Sequence, residues 1–319
     1  MKRNRIIKGL LSIAAGIAVL AAIAYGGEQF AERYYDKKYE PPGEFIKIAG
    51  NRIHYRVEGS EGPSVVIEPG LGHGVLEWLT VQDKSAKFAR VLSYDRAGYG
   101  WSSYAKGSRS PEEIVEELHV LLKKSGLPEP YVFVGHSIGG QYVRLYADRY
   151  PEEVKGVVLV DARHEAYSTL MKAEEEKNMK LMKRQLQIGS FLSSFGVHRL
   201  VGEAMLPDYY PEDVKPIRNH FGFKDRFMEA LKAEIAQTDE TAALLKASEF
   251  NEQWPLVVIR HGKPMPNAKA ERAWVATQKQ LAALSATGKV IVAEDSGHDI
   301  HMEQPEVVVE AIREMANLD

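Results

Sequence analysis

An α/β fold is predicted: a mostly parallel sheet flanked by helices, with a helical cap inserted between two late strands and an apolar helix ahead of the sheet. Three features carry this. From residue 64 onward, short apolar runs alternate with helical stretches, the pattern of parallel strands joined by right-handed crossovers. The β pattern disappears between Glu165 and Asn251 and then returns, which is how a helical block inserted between strands of one sheet reads. A basic leader and a long uncharged run stand before the first strand.

In that leader, Lys2, Arg3, Arg5 and Lys8 precede Gly9 to Tyr25, a run rich in Ala, Ile and Leu, and polar residues return at Glu28. Residues 1–27 therefore read as a signal-anchor or a signal peptide. The run is near the lower length limit for a bilayer span, and Ala22-Ile23-Ala24 resembles a small-residue cleavage site. The anchor is preferred because the apolar run reaches back through Ile6 and Ile7 and the cleavage-like tripeptide lacks a polar flank. The early positive charges stay inside. The rest of the chain is then expected on the outer face of the cell membrane, held by one span, or secreted if the leader is cleaved. Residues 28–43, charged, tyrosine-rich and ending in Pro41-Pro42-Gly43, are expected to form a stalk.

The sheet opens at Glu44. Phe45 to Ile48 and Arg52 to Val57 flank Gly50-Asn51, a hairpin signal, and Ser64 to Ile67 is a third strand. Glycines in Glu68-Pro69-Gly70-Leu71-Gly72-His73-Gly74 let the backbone turn its amides into a shared space. Ala89 to Tyr94 is the next strand and leads into Asp95-Arg96-Ala97-Gly98-Tyr99-Gly100. Asp95 is expected to tie down that loop through Arg96 or local amides. Ser110-Pro111-Glu112-Glu113 starts a helix, with proline at its first position and acids in its first turn, that stops near Gly126. Tyr131 to Val134, Val154 to Val160, Leu256 to Arg260 and Lys289 to Ala293 are further strands, and Pro305 opens a closing helix. The core is expected over residues 44–164 and 252–319, with the cap over 165–251. Met171, Met179 and Met182 in one segment of the cap and Met228 in another are candidates to line an acyl-sized pocket, since thioethers adapt to varied apolar ligands.

The 319 residues suffice for one large domain with an insertion. A net charge of −3 argues against nucleic acid as a partner, which calls for a basic face. The chain has no cysteine, which excludes disulfides, thiolate nucleophiles and cysteine metal sites.

The chemistry centres on Gly135-His136-Ser137-Ile138-Gly139, a G-x-S-x-G passage between a strand and a helix that holds a serine exposed where a buried strand ends. A serine hydroxyl needs a base to take its proton, and the base needs a carboxylate to fix its tautomer. His298, in the loop after the last strand, is the best base, and His301 is its nearest rival. The amides of Leu71 and Ile138 are candidates for an oxyanion hole. Gly70 and His136, beside them, are expected to touch substrate.

Together, Gly135 to Gly140, Asp95 to Ser102, Glu68 to Gly74 and Ser296 to His298, in this order, resemble the α/β-hydrolase fold superfamily, specifically its capped serine hydrolases and esterases. The resemblance covers roughly residues 44–318, weakly across the cap. It implies an eight-stranded sheet, Ser137 as nucleophile, His298 as base, and an oxyanion hole from Leu71 and Ile138. In that superfamily the acid usually follows the strand placed here at Leu256 to Arg260, but His261 to Asn267 holds no carboxylate. Asp161, at the end of the strand after the elbow helix, is the natural replacement, as in some members, and Glu165 is the reserve. The implied activity is a carboxylesterase acting on a small-molecule acyl ester, with amide, lactone, C–C or perhydrolysis substrates as alternatives and a non-catalytic acyl-ligand binder as the rival class. The mechanism calls for no metal and no organic cofactor.

Overall fold

The computed structural model describes residues 2–104 and 107–317; residues 318 and 319, at the end of the expected core, lie outside them. Its centre is an eight-stranded sheet in the order β1-β2-β4-β3-β5-β6-β7-β8. The strands are β1 (Glu44–Ile48), β2 (Asn51–Glu58), β3 (Ser64–Glu68), β4 (Arg90–Tyr94), β5 (Tyr131–His136), β6 (Val154–Val160), β7 (Leu256–His261) and β8 (Lys289–Ala293). Pairing is antiparallel between β1 and β2 and between β2 and β4, and parallel from β4 onward. The β1–β2 turn falls one residue earlier than Gly50-Asn51. Ile48 pairs with Asn51, so Ala49 and Gly50, with φ of 46° and 84°, form the turn. Two positive φ values match the twist of a two-residue hairpin.

The central strands read as unbroken apolar runs because both sheet faces are covered. Along β5, Tyr131 and Phe133 face the core shared with Val143 and Tyr146. Val132 and Val134 face the opposite core with Trp78, Val308 and Ile312. The covering helices of the first half are α2 (Val75–Ser85), α3 (Pro111–Ser125) and α4 (Ile138–Arg149), which follow an apolar helix, α1 (Lys2–Lys38). At the start of α3, Ser110 Oγ accepts from the Glu113 amide at 3.2 Å, and the helix ends on Gly126 at φ 71°.

Between β6 and β7 the cap comprises α5 (Glu165–Leu170), α6 (Lys172–Ser193), α7 (Val197–Val201), α8 (Lys215–Gly222), α9 (Asp225–Ala236) and α10 (Thr238–Ala247). The sheet then resumes, with α11 (Ala268–Ala282), α12 (Ile300–Glu303) and α13 (Pro305–Ala316) completing the core.

One helix of the described residues, α1, is long and apolar enough to cross a membrane. Residues 28–38, expected as a stalk, continue this helix and lie against the cap. Glu28 accepts from Arg199 at 2.6 and 2.7 Å, Glu32 from Lys224 at 2.8 Å, and Asp36 from His220 at 2.9 Å. Spacing of four places these acids on one helix face. Just beyond, the Tyr39 carbonyl accepts from Trp101 Nε1 at 2.8 Å.

Candidate active site

Parallel strands end along one edge of the sheet, and β5, β6 and β8 deliver Ser137, Asp161 and the loop of His298 to that edge. Ser137 stands between β5 and α4 at φ 54°, ψ −120°, a conformation a side chain rarely adopts. Its amide donates to the Val160 carbonyl at 3.2 Å, and its carbonyl accepts from Arg163 N at 2.9 Å. Glycines make the turn sterically feasible. A Cβ on Gly139 would lie 2.4 Å from the Glu68 carbonyl oxygen, and one on Gly140 would lie 2.5 Å from Ala162 Cβ.

Asp161 follows β6 at φ 42°, also strained, and its side chain is fully buried. Every neighbour of its carboxylate is a donor. Oδ1 accepts from His261 N at 3.1 Å, His261 Nδ1 at 2.9 Å and Trp274 Nε1 at 2.9 Å. Oδ2 accepts from His261 Nδ1 at 2.9 Å and His298 Nδ1 at 2.6 Å. Burial opposes the charge, but the hydrogen bonds from His261 and His298 outweigh it and hold the carboxyl well below its ordinary pKa.

Because His298 gives Nδ1 to Asp161, its Nε2 is free to accept. The imidazole edge stays accessible, with 44 % of the side chain exposed. Desolvation pulls its pKa down; the Asp161 hydrogen bond and charge more than compensate, and it lies above the ordinary histidine value. The backbone of this loop is pinned to the residue preceding Ser137, because His136 Nε2 donates to the His298 carbonyl at 3.0 Å.

The Glu68–Gly74 loop is shaped by Arg96, a fully buried cation that the sequence reading gave no separate role. Its guanidinium donates to Glu68 Oε1 and the Pro69 carbonyl, both at 2.7 Å, to the Gly70 carbonyl at 2.9 Å, and to Glu234 of α9 at 2.9 and 3.1 Å. Burial raises the Glu68 pKa to about 7 even against the pull of Arg96. In a trans peptide the C=O and N–H point in opposite directions. With the Gly70 carbonyl turned inward to Arg96, the Leu71 amide of the same peptide faces the other way. Ile138 opens α4, and a first-turn amide has no intrahelical partner. Leu71, Ser137 and Ile138 share one wall of a cavity of about 310 Å³, closed from the cap side by Arg163, Met171, Met179 and Met182.

The remaining candidates and their neighbours take these places. Gly70 and His136, expected to touch substrate, lie behind the cavity. The His136 ring is buried, and a Cβ on Gly70 would sit 2.4 Å from its Nδ1, so the two pack against each other. Glu165, the reserve acid, receives Arg144 at 2.6 and 3.2 Å. Asp299 accepts from Tyr209 at 2.5 Å. Asp95 ties its loop through the amides of Val75 at 2.8 Å and Trp101 at 3.1 Å and through His54 Nδ1 at 2.7 Å, while Arg96 turns away from it. The ring of His301 is fully buried and stacks on Trp78 at 4.3 Å. His261 and Trp274, the other partners of Asp161, were missed; they lie at least 100 residues from it in sequence.

One set of side chains among the described residues has the spacing of a metal site: His73, His136, Asp299 and His301, whose ligand atoms lie within 4.8 Å of one another. The hydrogen bonding argues against that use. His136 Nε2 is already committed as a donor to the His298 carbonyl, and its Nδ1 faces Gly70. Burial, with the charges of His298 and His73, lowers the His136 pKa to about 3, and burial lowers that of His301 well below its ordinary value. A neutral imidazole is the form that ligates a metal, so it is the committed Nε2 of His136 that opposes a site here.

Comparison with known proteins follows the same lines. A family model described as the alpha/beta hydrolase fold matches residues 63–305. YqjL of Bacillus subtilis, an uncharacterised protein, is 25 % identical over 256 residues, spanning 80 % of this chain and 84 % of its own length. Among solved structures, the epoxide hydrolase CorEH aligns with a TM-score of 0.67 at 16 % identity, covering 85 % of this chain and 97 % of that one. A membrane phospholipase A, described as a bacterial virulence factor, aligns with a TM-score of 0.62 at 21 % identity over 99 % of this chain and 98 % of that one. At such identities the structural likeness speaks for the fold alone.

Proposed function

The chain belongs to the α/β-hydrolase fold family and is a hydrolase, and we propose that it is a serine carboxylesterase in which Ser137 is the nucleophile, His298 the base and Asp161 the acid. Ser137 Oγ attacks an ester carbonyl while His298 Nε2 takes its proton, and the amides of Leu71 and Ile138 hold the developing oxyanion. His298 then hands the proton to the departing alkoxide, leaving an acyl-enzyme and an alcohol. Water adds to the acyl-enzyme by the same route in reverse roles, releasing the acid and restoring Ser137.

The observation that carries this reading is the 2.6 Å bond from His298 Nδ1 to a buried carboxylate. It selects the tautomer with a free Nε2 at the edge where Ser137 projects. Serine at the elbow disfavours epoxide opening, which in this superfamily uses an aspartate there. Amide, lactone and perhydrolysis substrates share the acyl chemistry and differ only in what the cavity admits. In the same reading, residues 1–27 anchor the protein in the membrane with the hydrolase domain on the outer face, and residues 165–251 form the cap.

The test is labelling by a fluorophosphonate, which reacts only with an activated serine. Wild-type protein is expected to label and Ser137→Ala to remain unlabelled. Folded wild-type protein that fails to label would refute the serine mechanism in favour of an acyl-ligand binder.

A further inference from the structure

Of the residues of α6, a helix of 22, only Ser193 is buried. Its C-terminal end and the turn beyond expose apolar side chains at levels unusual for a water-soluble surface: Phe191 is 65 % exposed, Leu200 85 % and Met205 73 %, with Ile188, Leu192 and Val201 beside them in sequence. Along the same helix the exposed basic residues Lys177, Lys180, Lys183 and Arg184 precede the apolar cluster.

The position of this cluster identifies what covers it. The turn between α6 and α7 is fixed to α1 at the point where the apolar run ends. Ser193, Ser194, His198 and Arg199 share one pocket with Tyr25 and Glu28, and a Cβ on Gly196 would lie 2.9 Å from Glu28 Oε2. Glu28 stands three residues past Tyr25, about 4.5 Å along the helix axis. The cap tip is therefore held within about one helical turn of the water–lipid boundary that α1 defines. Tyr25, exposed at the end of the apolar run, marks the same level, as interfacial aromatics do, and the exposed Phe30 and Tyr34 follow about 7.5 and 13.5 Å further along the helix. The N-terminal half of α6, from Glu174 to Met182, reaches the cavity, which Met179 and Met182 line together with Ser137. Glu175 and Met179 also line a groove of about 650 Å³, so the cavity and the groove meet along α6.

We propose that the cap tip, Ile188, Phe191, Leu192, Leu200, Val201 and Met205, is seated in the lipid surface beside α1, and that the cavity over Ser137 receives a membrane-resident acyl ester led there along α6. This rests on the reading of α1 as an anchor and of Ser137 as the nucleophile. The basic residues of α6 complement anionic headgroups. An acyl chain leaving the bilayer would meet apolar side chains at the tip and methionines at the cavity.

The chain contains no cysteine, so single-cysteine variants of the full protein report individual positions. Phe191→Cys, Leu200→Cys and, as a control at the exposed start of β8, Lys289→Cys are labelled with a polarity-sensitive fluorophore and reconstituted in phosphatidylethanolamine/phosphatidylglycerol vesicles containing brominated lipid. Blue-shifted, bromide-quenched emission at 191 and 200 but not at 289 is expected. Emission at 191 and 200 as water-like as at 289 overturns the docking. So does unquenched emission accompanied by efficient 191–191 cross-linking, which assigns the tip to a second copy of the chain.

The substrate half is read with the combined variant Ile188→Ser, Phe191→Ser, Leu200→Ser and Met205→Ser. Hydrolysis of a long-chain ester in vesicles is expected to fall at least about tenfold while hydrolysis of soluble p-nitrophenyl butyrate is unchanged, since losing even one such burial shifts partitioning by about that factor. An unchanged vesicle rate, or equal losses on both substrates, overturns it. Failure of the serine mechanism shows separately, as absence of fluorophosphonate labelling in the unaltered protein.

Discussion

Replacing Asp161 with asparagine separates its charge from its shape. Oδ1 faces three N–H contacts, from His261 twice and Trp274, whereas Oδ2 faces His261 Nδ1 and His298 Nδ1. An amide has a single accepting oxygen, and the three donors hold it at the Oδ1 position. The NH₂ group is then forced to the Oδ2 position, pointing at His298 Nδ1. His298 can meet that donor only with a bare Nδ1, which moves its proton to Nε2 and leaves no lone pair to accept from Ser137. The imidazolium also loses its counter-charge. Together these changes cost about four orders of magnitude in turnover, or about 5.5 kcal/mol at 1.36 kcal/mol per decade. The backbone should hold, because the amide of residue 161 still donates to the Ile259 carbonyl at 2.7 Å. Steady-state turnover of p-nitrophenyl butyrate, with circular dichroism as a fold control, reads the effect. A variant within tenfold of wild type beside an inactive His298→Ala would refute the assignment of the acid. Glu165 would be a poor substitute, since both its oxygens are taken by Arg144.

Removing the buried cation in Arg96→Met strands Glu68 and leaves Glu234 only Arg109, at 3.6 Å, and is expected to cost about 3–5 kcal/mol in urea denaturation. The loss should be smaller at pH 5 than at pH 8, because Glu68, which burial already raises to about 7, is protonated at the lower pH and its buried charge is relieved. For His261, burial lowers the pKa but the hydrogen bonds to Asp161 and Glu271 raise it to about 9. A raised folded-state pKa means its contribution is complete below the unfolded value near 6.5 and is lost as pH rises through 9. Stability is therefore expected to decline over that window by at most about 3 kcal/mol, with the decline absent in His261→Gln. Gly139→Ala would press a methyl group onto the Glu68 and Pro69 carbonyls, 2.4 and 2.5 Å away, and displace the loop that carries Leu71. Turnover is expected to drop by roughly two to three orders of magnitude with KM little changed.

Much of this arrangement is legible in the sequence because its signals are local. The strand–turn–helix at Ser137, the proline-led start of α3 and the return of β pattern at Leu256 each lie within one short window. What was not legible depends on pairs far apart in the chain. Nothing near Glu68 or Arg96 announces that both are buried with Glu234, 138 residues beyond Arg96. Residues 28–43 read as a separate stalk because they are charged, tyrosine-rich and closed by Pro41-Pro42-Gly43, whereas residues 28–38 continue α1. A signal was present in Glu28, Glu32 and Asp36, acids every four residues on one helix face, but its meaning needed Arg199 and Lys224. The carboxylate missing after β7 pointed to another acid. It did not reveal that His261, the last residue of β7, itself grips Asp161.

The two strained residues of the site sit at the ends of adjacent strands, and their strain is held in common. Ser137 at φ 54° and Asp161 at φ 42° each occupy backbone space that costs about 1–3 kcal/mol for a non-glycine residue. Ser137 is kept there by the Val160 carbonyl and by Arg163 N, which lie on either side of Asp161, and Asp161 is kept there by the Ile259 carbonyl on β7. Each tether crosses to the next strand, so the elbow, the buried carboxylate and the β7 end cannot relax independently. His261 and Trp274 then lock the carboxylate from the β7 side, and His298 receives the one direction left open. An acid on β6 is therefore coupled through the backbone to the serine turn itself. An acid in the loop after β7 would lack that direct coupling, and its contact with the base would depend on that loop alone.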